Sequence, residues 1–281
     1  MTLKLPKIIG HRGVISSEPG YPYQNSIEAY KIALDRMNGF ETDACLNADG
    51  NIYFIHEAKY LKTPVEISYQ EHLKEPKSTD KERFDLLTDN DISNLKLKGG
   101  EQIPSWDDVI PLFKDRPDKI FNIELKGYKV HKVLIPKLRK AFDNGDLLEE
   151  QVLISSFAHP FLKEIRKAFP NIAIGMLFID PNIAPALLFP WTDDQECFYT
   201  PILEKTLQSK DFDQIKPQFI IIPDSCANEH TFSIIKKYHE DKKVIVWVFT
   251  ELDNYDDQSF KAMVKKYQDM IYTIIVDKPW D

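Results

Sequence analysis

Short apolar runs recur along the chain, each bounded by turn residues and followed by a stretch in which apolar positions return every three or four residues. Read as strands, the runs are Lys7–Arg12, Gly39–Leu46, Lys119–Lys126, Gln151–Phe157, Ile172–Ile179, Gln218–Ser225, Lys243–Thr250 and Tyr272–Lys278, eight in all. The intervening stretches predict amphipathic helices over Ser26–Met37, Val130–Asn144, His159–Phe169, Glu229–Glu240 and Asp256–Met270. Ser105 opens a further helix as its N-cap, with Asp107 and Asp108 in the first turn. Strands alternating with helices imply parallel βα units, in a closed barrel or a doubly wound sheet. Eight strands favour the barrel, an α/β protein of the (β/α)8 TIM class.

Two stretches break the rhythm. After the second strand, a short extended segment over Asn51–Glu57 leads into a polar, Lys- and Glu-rich piece, about 58–100, expected to leave the barrel wall. After the fifth strand a long loop runs over Asp180–Pro217 and includes the apolar piece Leu187–Trp191. Both depart from strand C-terminal ends, the face on which barrels of this class build their sites. No internal repeat or low-complexity tract divides the chain, so residues 1–281 are expected to form one domain.

Composition narrows the possibilities. The 281 residues are 43% hydrophobic and 28% charged, enough for a large core, and the net charge of −8 disfavours a nucleic-acid partner. Cys45, Cys197 and Cys226 lack the paired spacing of a zinc site or disulfide framework and read as free thiols. With no signal-peptide core and no apolar run approaching the ~20 residues of a membrane span, the expectation is a cytoplasmic protein without stable membrane insertion.

Charged side chains in buried parallel strands are costly. Here they gather at strand ends. The first strand finishes in His11-Arg12-Gly13; the second carries Glu41 and Asp43, two apart and so on one face; His56 closes the next short segment; Glu124 and Lys126 share a face at the end of the third. Three converging carboxylates repel one another unless a cation neutralises them, and oxygen-only ligation suits one divalent ion, Mg²⁺ or Ca²⁺. Arg12 and Lys126 can then hold phosphate oxygens, while His11 and His56 can exchange protons near neutral pH. The alternative is purely structural: Glu41, Asp43 and Glu124 as buried ion pairs with Arg12 and Lys126. His72, His131, His159, His230 and His239 read as surface or capping residues, and Trp247 as core packing or a wall of the substrate site.

These fragments resemble the glycerophosphodiester phosphodiesterases. The resemblance rests on His11-Arg12-Gly13, Glu41-Thr42-Asp43, His56-Glu57 and Asn122-Ile123-Glu124-Leu125-Lys126, in that order. Ile103-Pro104-Ser105, Ser156-Phe157, Trp247 and Val276-Asp277-Lys278-Pro279 extend it over nearly the whole chain. It implies a barrel fold, metal ligation by Glu41, Asp43 and Glu124, acid–base roles for His11 and His56, and phosphate contacts from Arg12 and Lys126. The implied reaction is hydrolysis of a glycerophosphodiester to glycerol phosphate and an alcohol, with one histidine as base and the other as acid, His11 as base and His56 as acid being the order favoured over its reverse, and with water or the substrate's own glycerol hydroxyl attacking. The chain departs from the family pattern at Gln24, where a Glu is usual, and at Glu57, where an Asp is usual. Two rivals stand beside this reading. One is lysophospholipase D or sphingomyelinase D-like cleavage of a lysophospholipid, motivated by Leu187–Trp191. The other is a catalytically silent barrel that only binds a phosphorylated ligand.

Overall fold

A computed structural model of the protein describes residues 6–16, 18–57, 68–75, 81, 83–126, 129–182, 199–247 and 258–279. In chain order the elements are β1 (Lys7–Gly10), α1 (Ile27–Arg36), β2 (Gly39–Leu46), β3 (Ile52–Phe54), α2 (Asp89–Ser93), α3 (Trp106–Val109), β4 (Ile120–Leu125), α4 (Val130–Asn144) and β5 (Val152–Ser156). They continue with α5 (His159–Ala168), β6 (Ala173–Leu177), α6 (Glu204–Leu207), α7 (Lys210–Ile215), β7 (Phe219–Pro223), α8 (Glu229–Tyr238), β8 (Lys243–Trp247), α9 (Gln258–Lys266) and β9 (Ile271–Val276). All strands except β3 pair in parallel, in the order β1-β9-β8-β7-β6-β5-β4-β2, and the Gly10–Phe40 pairing of β1 with β2 closes the ring. The result is a (β/α)8 TIM barrel. β3 is antiparallel to β2, with Leu46 opposite Ile52.

Strands in such a barrel are buried on both faces, which is why the apolar runs are nearly continuous. One face looks inward, where Ile9, Ile120, Leu153, Leu177, Ile221, Ile245 and Ile275 fill the interior. The alternate residues, among them Phe40, Phe121, Ile154, Ile174, Ile220, Val244 and Ile274, pack beneath the helices. α1 lays Ala29, Tyr30, Ala33 and Leu34 on this outer layer, and Ser26 caps it by accepting the Ala29 N–H at 3.2 Å. α4 stops where Gly145 turns left-handed. Near Ser105, the Asp108 carboxylate accepts both the backbone N–H and the hydroxyl of that residue.

Two expectations change. The excursion after β3 is not simply polar: Tyr69, Leu73, Phe84, Leu87, Ile92, Leu95 and Leu97 form a second core with Cys45, Ile55 and Ile103. Glu57 anchors it by accepting the Phe84 N–H at 3.1 and 3.2 Å. His72, His131 and His159 are buried rather than superficial. His131 stacks on Phe161, and the His159 Nε2–H donates to the Leu177 carbonyl at 3.0 Å, so packing and a backbone bond replace solvent. Cys45 and Cys226 are free thiols; Cys197 and Leu187–Trp191 lie outside the described residues. No described helix is long and apolar enough to cross a membrane.

β2 carries two of the clustered carboxylates and depends on its first residue. Gly39 has φ +140°, and a Cβ there would lie 2.0 Å from the Ile120 carbonyl oxygen, a backbone atom that cannot yield without moving β4. Gly39→Ala is predicted to cost about 3–5 kcal/mol of stability, read as a lowered denaturation midpoint; an unchanged midpoint would contradict this packing.

Candidate active site

The strand C-termini deliver the charged side chains to one end of the barrel. Asp43 stands opposite Glu124, and Glu41 opposite Asn122, in the β2–β4 register, so three carboxylates share the inner face of two adjacent strands. One oxygen from each of Glu41, Asp43 and Glu124 lies within 4.8 Å of the others. All three residues are buried, Asp43 to 1% exposure.

Cations bracket them. Arg12 follows β1 in a left-handed conformation, φ 51°, with Gly13 at φ 82°. A Cβ on Gly13 would also sit 2.7 Å from the Ala29 backbone, so this bend requires glycine. The turn aims the Arg12 N–H at Glu41 Oε2, 3.1 Å, and returns its side chain so that Nε lies 3.1 Å from Asp43 Oδ2. A left-handed non-glycine costs roughly 1–2 kcal/mol, which the contacts to two buried carboxylates offset. Lys126 Nζ lies 2.8 Å from Glu124 Oε1 and 3.7 Å from Asp43 Oδ1, above the Phe157 ring.

The cations do not balance the carboxylates. Burial, then Asp43 and Glu124, pushes Glu41 well above the usual carboxylate range. Burial also raises Glu124, despite Lys126. Asp43 goes the other way: burial opposes its charge, but Arg12, Lys126 and the Asn25 amide outweigh it and hold the carboxyl low. Burial opposes the charge on Lys126 as well, and Glu124 and Asp43 overcome it, raising that pKa. Glu41 Oε1 is buried without a hydrogen-bond partner among the described residues. An orphaned oxygen beside two further hard donors fits a divalent cation, so the residues present suit Mg²⁺ or Ca²⁺.

The histidines flank this cluster. His11 Nδ1 lies 2.6 Å from Asp277 Oδ1, just past β9. Burial and then Arg12 lower its pKa, partly countered by Asp277. His56 is more deeply buried, and desolvation, Arg12 and Lys126 hold it well below the ordinary imidazole value. Trp247, at the end of β8, meets Phe157 edge-on at 6.4 Å, and Phe157 packs on Tyr199 at 4.9 Å. Trp247 is thus part of an aromatic wall behind Lys126.

His11, Arg12, Glu41, Asp43, His56, Glu124, Lys126 and Trp247 all lie in this assembly, where ion pairs and an unsatisfied buried carboxylate oxygen coexist. Sequence reasoning missed the supporting residues. Asn25, left-handed at φ 53°, donates to Asp43 Oδ2 at 3.1 Å while its carbonyl oxygen accepts from Thr42 and Tyr30. Gln24 accepts from Arg12 Nη1 at 2.7 Å, so the neutral amide still orients the guanidinium where family members place a carboxylate. Asp277 had a visible signal, its Val-Asp-Lys-Pro motif, but no assigned partner.

The fold is a (β/α)8 barrel with its charged side chains gathered at one mouth, where barrel enzymes carry their sites. No family model matches the sequence. The glycerophosphodiester phosphodiesterase of Caldanaerobacter subterraneus subsp. tengcongensis is 30% identical over 224 residues, 67% of this chain and 86% of that protein. The glycerophosphodiester phosphodiesterase of Bacillus altitudinis is 28% identical over 63% of this chain and 68% of its own length. Among solved structures, a phosphodiesterase of Oleispira antarctica in complex with the product sn-glycerol-3-phosphate superposes with a TM-score of 0.66 at 19% identity, covering 98% of this chain and 94% of that one. The glycerophosphodiester phosphodiesterase of Thermotoga maritima gives 0.60 at 18%, covering 98% and 95%; both share the fold. This chain belongs to the glycerophosphodiester phosphodiesterase family and is a phosphoric diester hydrolase.

The raised Glu41 carboxyl means the folded chain binds that proton more tightly than the unfolded chain. Metal-free protein should therefore lose stability as pH rises from the ordinary carboxylate range through the raised value. Calorimetry in EDTA is expected to show Glu41→Gln melting above wild type at neutral pH. Added Mg²⁺ or Ca²⁺ should stabilise wild type by about 2.7 kcal/mol at a hundredfold excess over Kd, and the variant much less. A variant that melts lower in EDTA, or gains as much from the cation, would contradict this charge balance.

Proposed function

We propose that the protein hydrolyses glycerophosphodiesters to glycerol phosphate and an alcohol with one divalent cation held by Glu41, Asp43 and Glu124, and with His11 and His56 moving the protons. The observation that carries this reading is the convergence of three buried carboxylates, two cationic side chains and two histidines at one end of the barrel. When bound, the cation supplies Lewis-acid polarisation of a phosphoryl oxygen. Arg12, as a planar fork, and Lys126, as a point charge, hold the remaining anionic oxygens.

His11 serves as base. Asp277 keeps the Nδ1 proton and favours the imidazolium, leaving Nε2 to take the proton of the attacking hydroxyl as its oxygen bonds to phosphorus. His56 gives a proton to the departing alkoxide as the phosphorus–oxygen bond breaks. In the free protein burial first, and then Arg12 and Lys126, disfavour charge on His56. A bound phosphodiester neutralises those two cations and so removes their share of the opposition to a protonated His56. Trp247 and Phe157 offer an apolar wall to the glycerol backbone or the head group. The family's reaction and small, soluble diesters come first as substrates; a lysophospholipid is the comparison that tests the rival.

The test is cleavage of glycerophosphocholine, glycerophosphoethanolamine and a lysophospholipid by purified protein, in EDTA and with Mg²⁺ or Ca²⁺ restored. His11→Ala and His56→Ala are each expected to lower kcat on the order of 10²–10⁴-fold; full activity in EDTA or in either variant would overturn the assignment. Asp277 raises the His11 pKa, so its loss lowers that value further. Asp277→Asn should therefore shift the acid limb of the kcat/KM profile to lower pH while reducing kcat on the order of 10²-fold or more; a limb that stays put would remove Asp277 from this role.

A further inference from the structure

His11 has Asp277 behind its ring, but among the described residues His56 has no such carboxylate bonded to it. Its Nδ1 is buried and, among the described residues, makes no hydrogen bond. An imidazole that passes a proton through one nitrogen needs its ring plane fixed from the other side. A second histidine, from the excursion, packs against the ring. His72 closes the turn Tyr69–His72 and meets His56 edge-on, with ring centroids 5.8 Å apart and planes at 79°. His72 is itself buried, and its Nδ1 lies 3.0 Å from the Tyr23 hydroxyl.

This hydrogen bond joins a protonated phenol, whose pKa burial raises, to a neutral imidazole whose tautomer sets which of the two groups donates. Burial, then Arg12, lowers His72 to about 4, in keeping with that neutral state. The Tyr23 backbone N–H donates to Glu101 Oε1 at 3.3 Å, tying the same residue to the far end of the excursion. The adjoining Gln24 and Asn25 contact Arg12 and Asp43. One tripeptide before α1 thus supports the phosphate-binding arginine, a carboxylate of the cluster and the packing around His56.

We infer that His72, held by the Tyr23 hydroxyl, is a positioning residue for His56, so that the excursion is part of the catalytic apparatus. The inference rests on the proton-transfer role proposed for His56. The charged and titratable groups acting on His56 are Arg12, Lys126, His72 and His11, and those acting on His72 are Arg12, Asp43 and Lys98, with Tyr23 as its bonded partner.

The experiment compares wild type, Tyr23→Phe, His72→Phe, the double variant and His56→Ala on glycerophosphocholine with saturating divalent cation. Tyr23→Phe removes a single oxygen, which guards against loss of folding in His72→Phe. Each single variant is expected to lower kcat roughly 10- to 100-fold, as for a misaligned catalytic group, with KM and the cation affinity near wild type. Because the pair acts as a unit, the double variant should be no slower than the slower single variant. Wild-type kcat in both singles, multiplicative losses in the double, or losses matched by weaker cation binding would overturn the inference. An active His56→Ala would instead remove the role of His56 itself, an outcome distinct from an inert His56→Ala beside a fully active His72→Phe.

Discussion

Three carboxylates within 4.8 Å of one another, out of water and faced by two cationic side chains, set the terms for the rest of the molecule. Buried charges of one sign are tolerated only when paired or when a metal neutralises them. The chain arranges both remedies in part. Arg12 and Lys126 satisfy Asp43 and one side of Glu124, and what is left over falls on Glu41, whose carboxyl is driven upward. The excess negative charge fits the proposed cation site, since a fully paired cluster would be a structural ion-pair network with little affinity for a cation. Stability in the absence of metal is the quantity sacrificed.

Keeping such a cluster in place requires a frame that does not relax. The inner face of the barrel below it is aliphatic, and the register of β2 on β4 puts Asp43 against Glu124 without freedom to slip, since a one-residue shift would exchange the inner and outer faces. Gly39 and Gly13 permit the close backbone approaches that start β2 and turn the chain after β1. The left-handed Arg12 and Asn25 then hold guanidinium and amide against the same aspartate. The excursion adds a core of its own on one side of the mouth, pinned by Glu57, and brings His72 to His56.

Much of this was legible in the sequence. Seven of the eight parallel strands fall inside the predicted runs, β9 begins one residue before its run, and α4 has the predicted bounds, because buried parallel strands and amphipathic helices write their periods directly into the chain. Glu41 with Asp43, and Glu124 with Lys126, could each be put on one face in advance because alternation fixes which side chains of a strand share a face, while the β2–β4 register brings the two sets together. The excursion's core was not legible: Tyr69, Leu73, Phe84 and Leu97 follow no helical or strand period and sit among lysines and glutamates, so only tertiary contact reveals them as a buried cluster. Nor was the burial of His72, whose partner Tyr23 is 49 residues away, or the pairing of His11 with Asp277 across 266. Such partners are set by barrel closure and by the return of the excursion, which no local pattern encodes.

The central claim is that the acidic cluster, beyond its ion pairs with Arg12 and Lys126, is a cation site. Anomalous diffraction from crystals grown with Mn²⁺ or Ca²⁺ tests it most directly. The account predicts one strong peak within about 2.0–2.6 Å of oxygens from Glu41, Asp43 and Glu124. Carboxylates engaged only with Arg12 and Lys126, with no ion between them at saturating concentration, would contradict it.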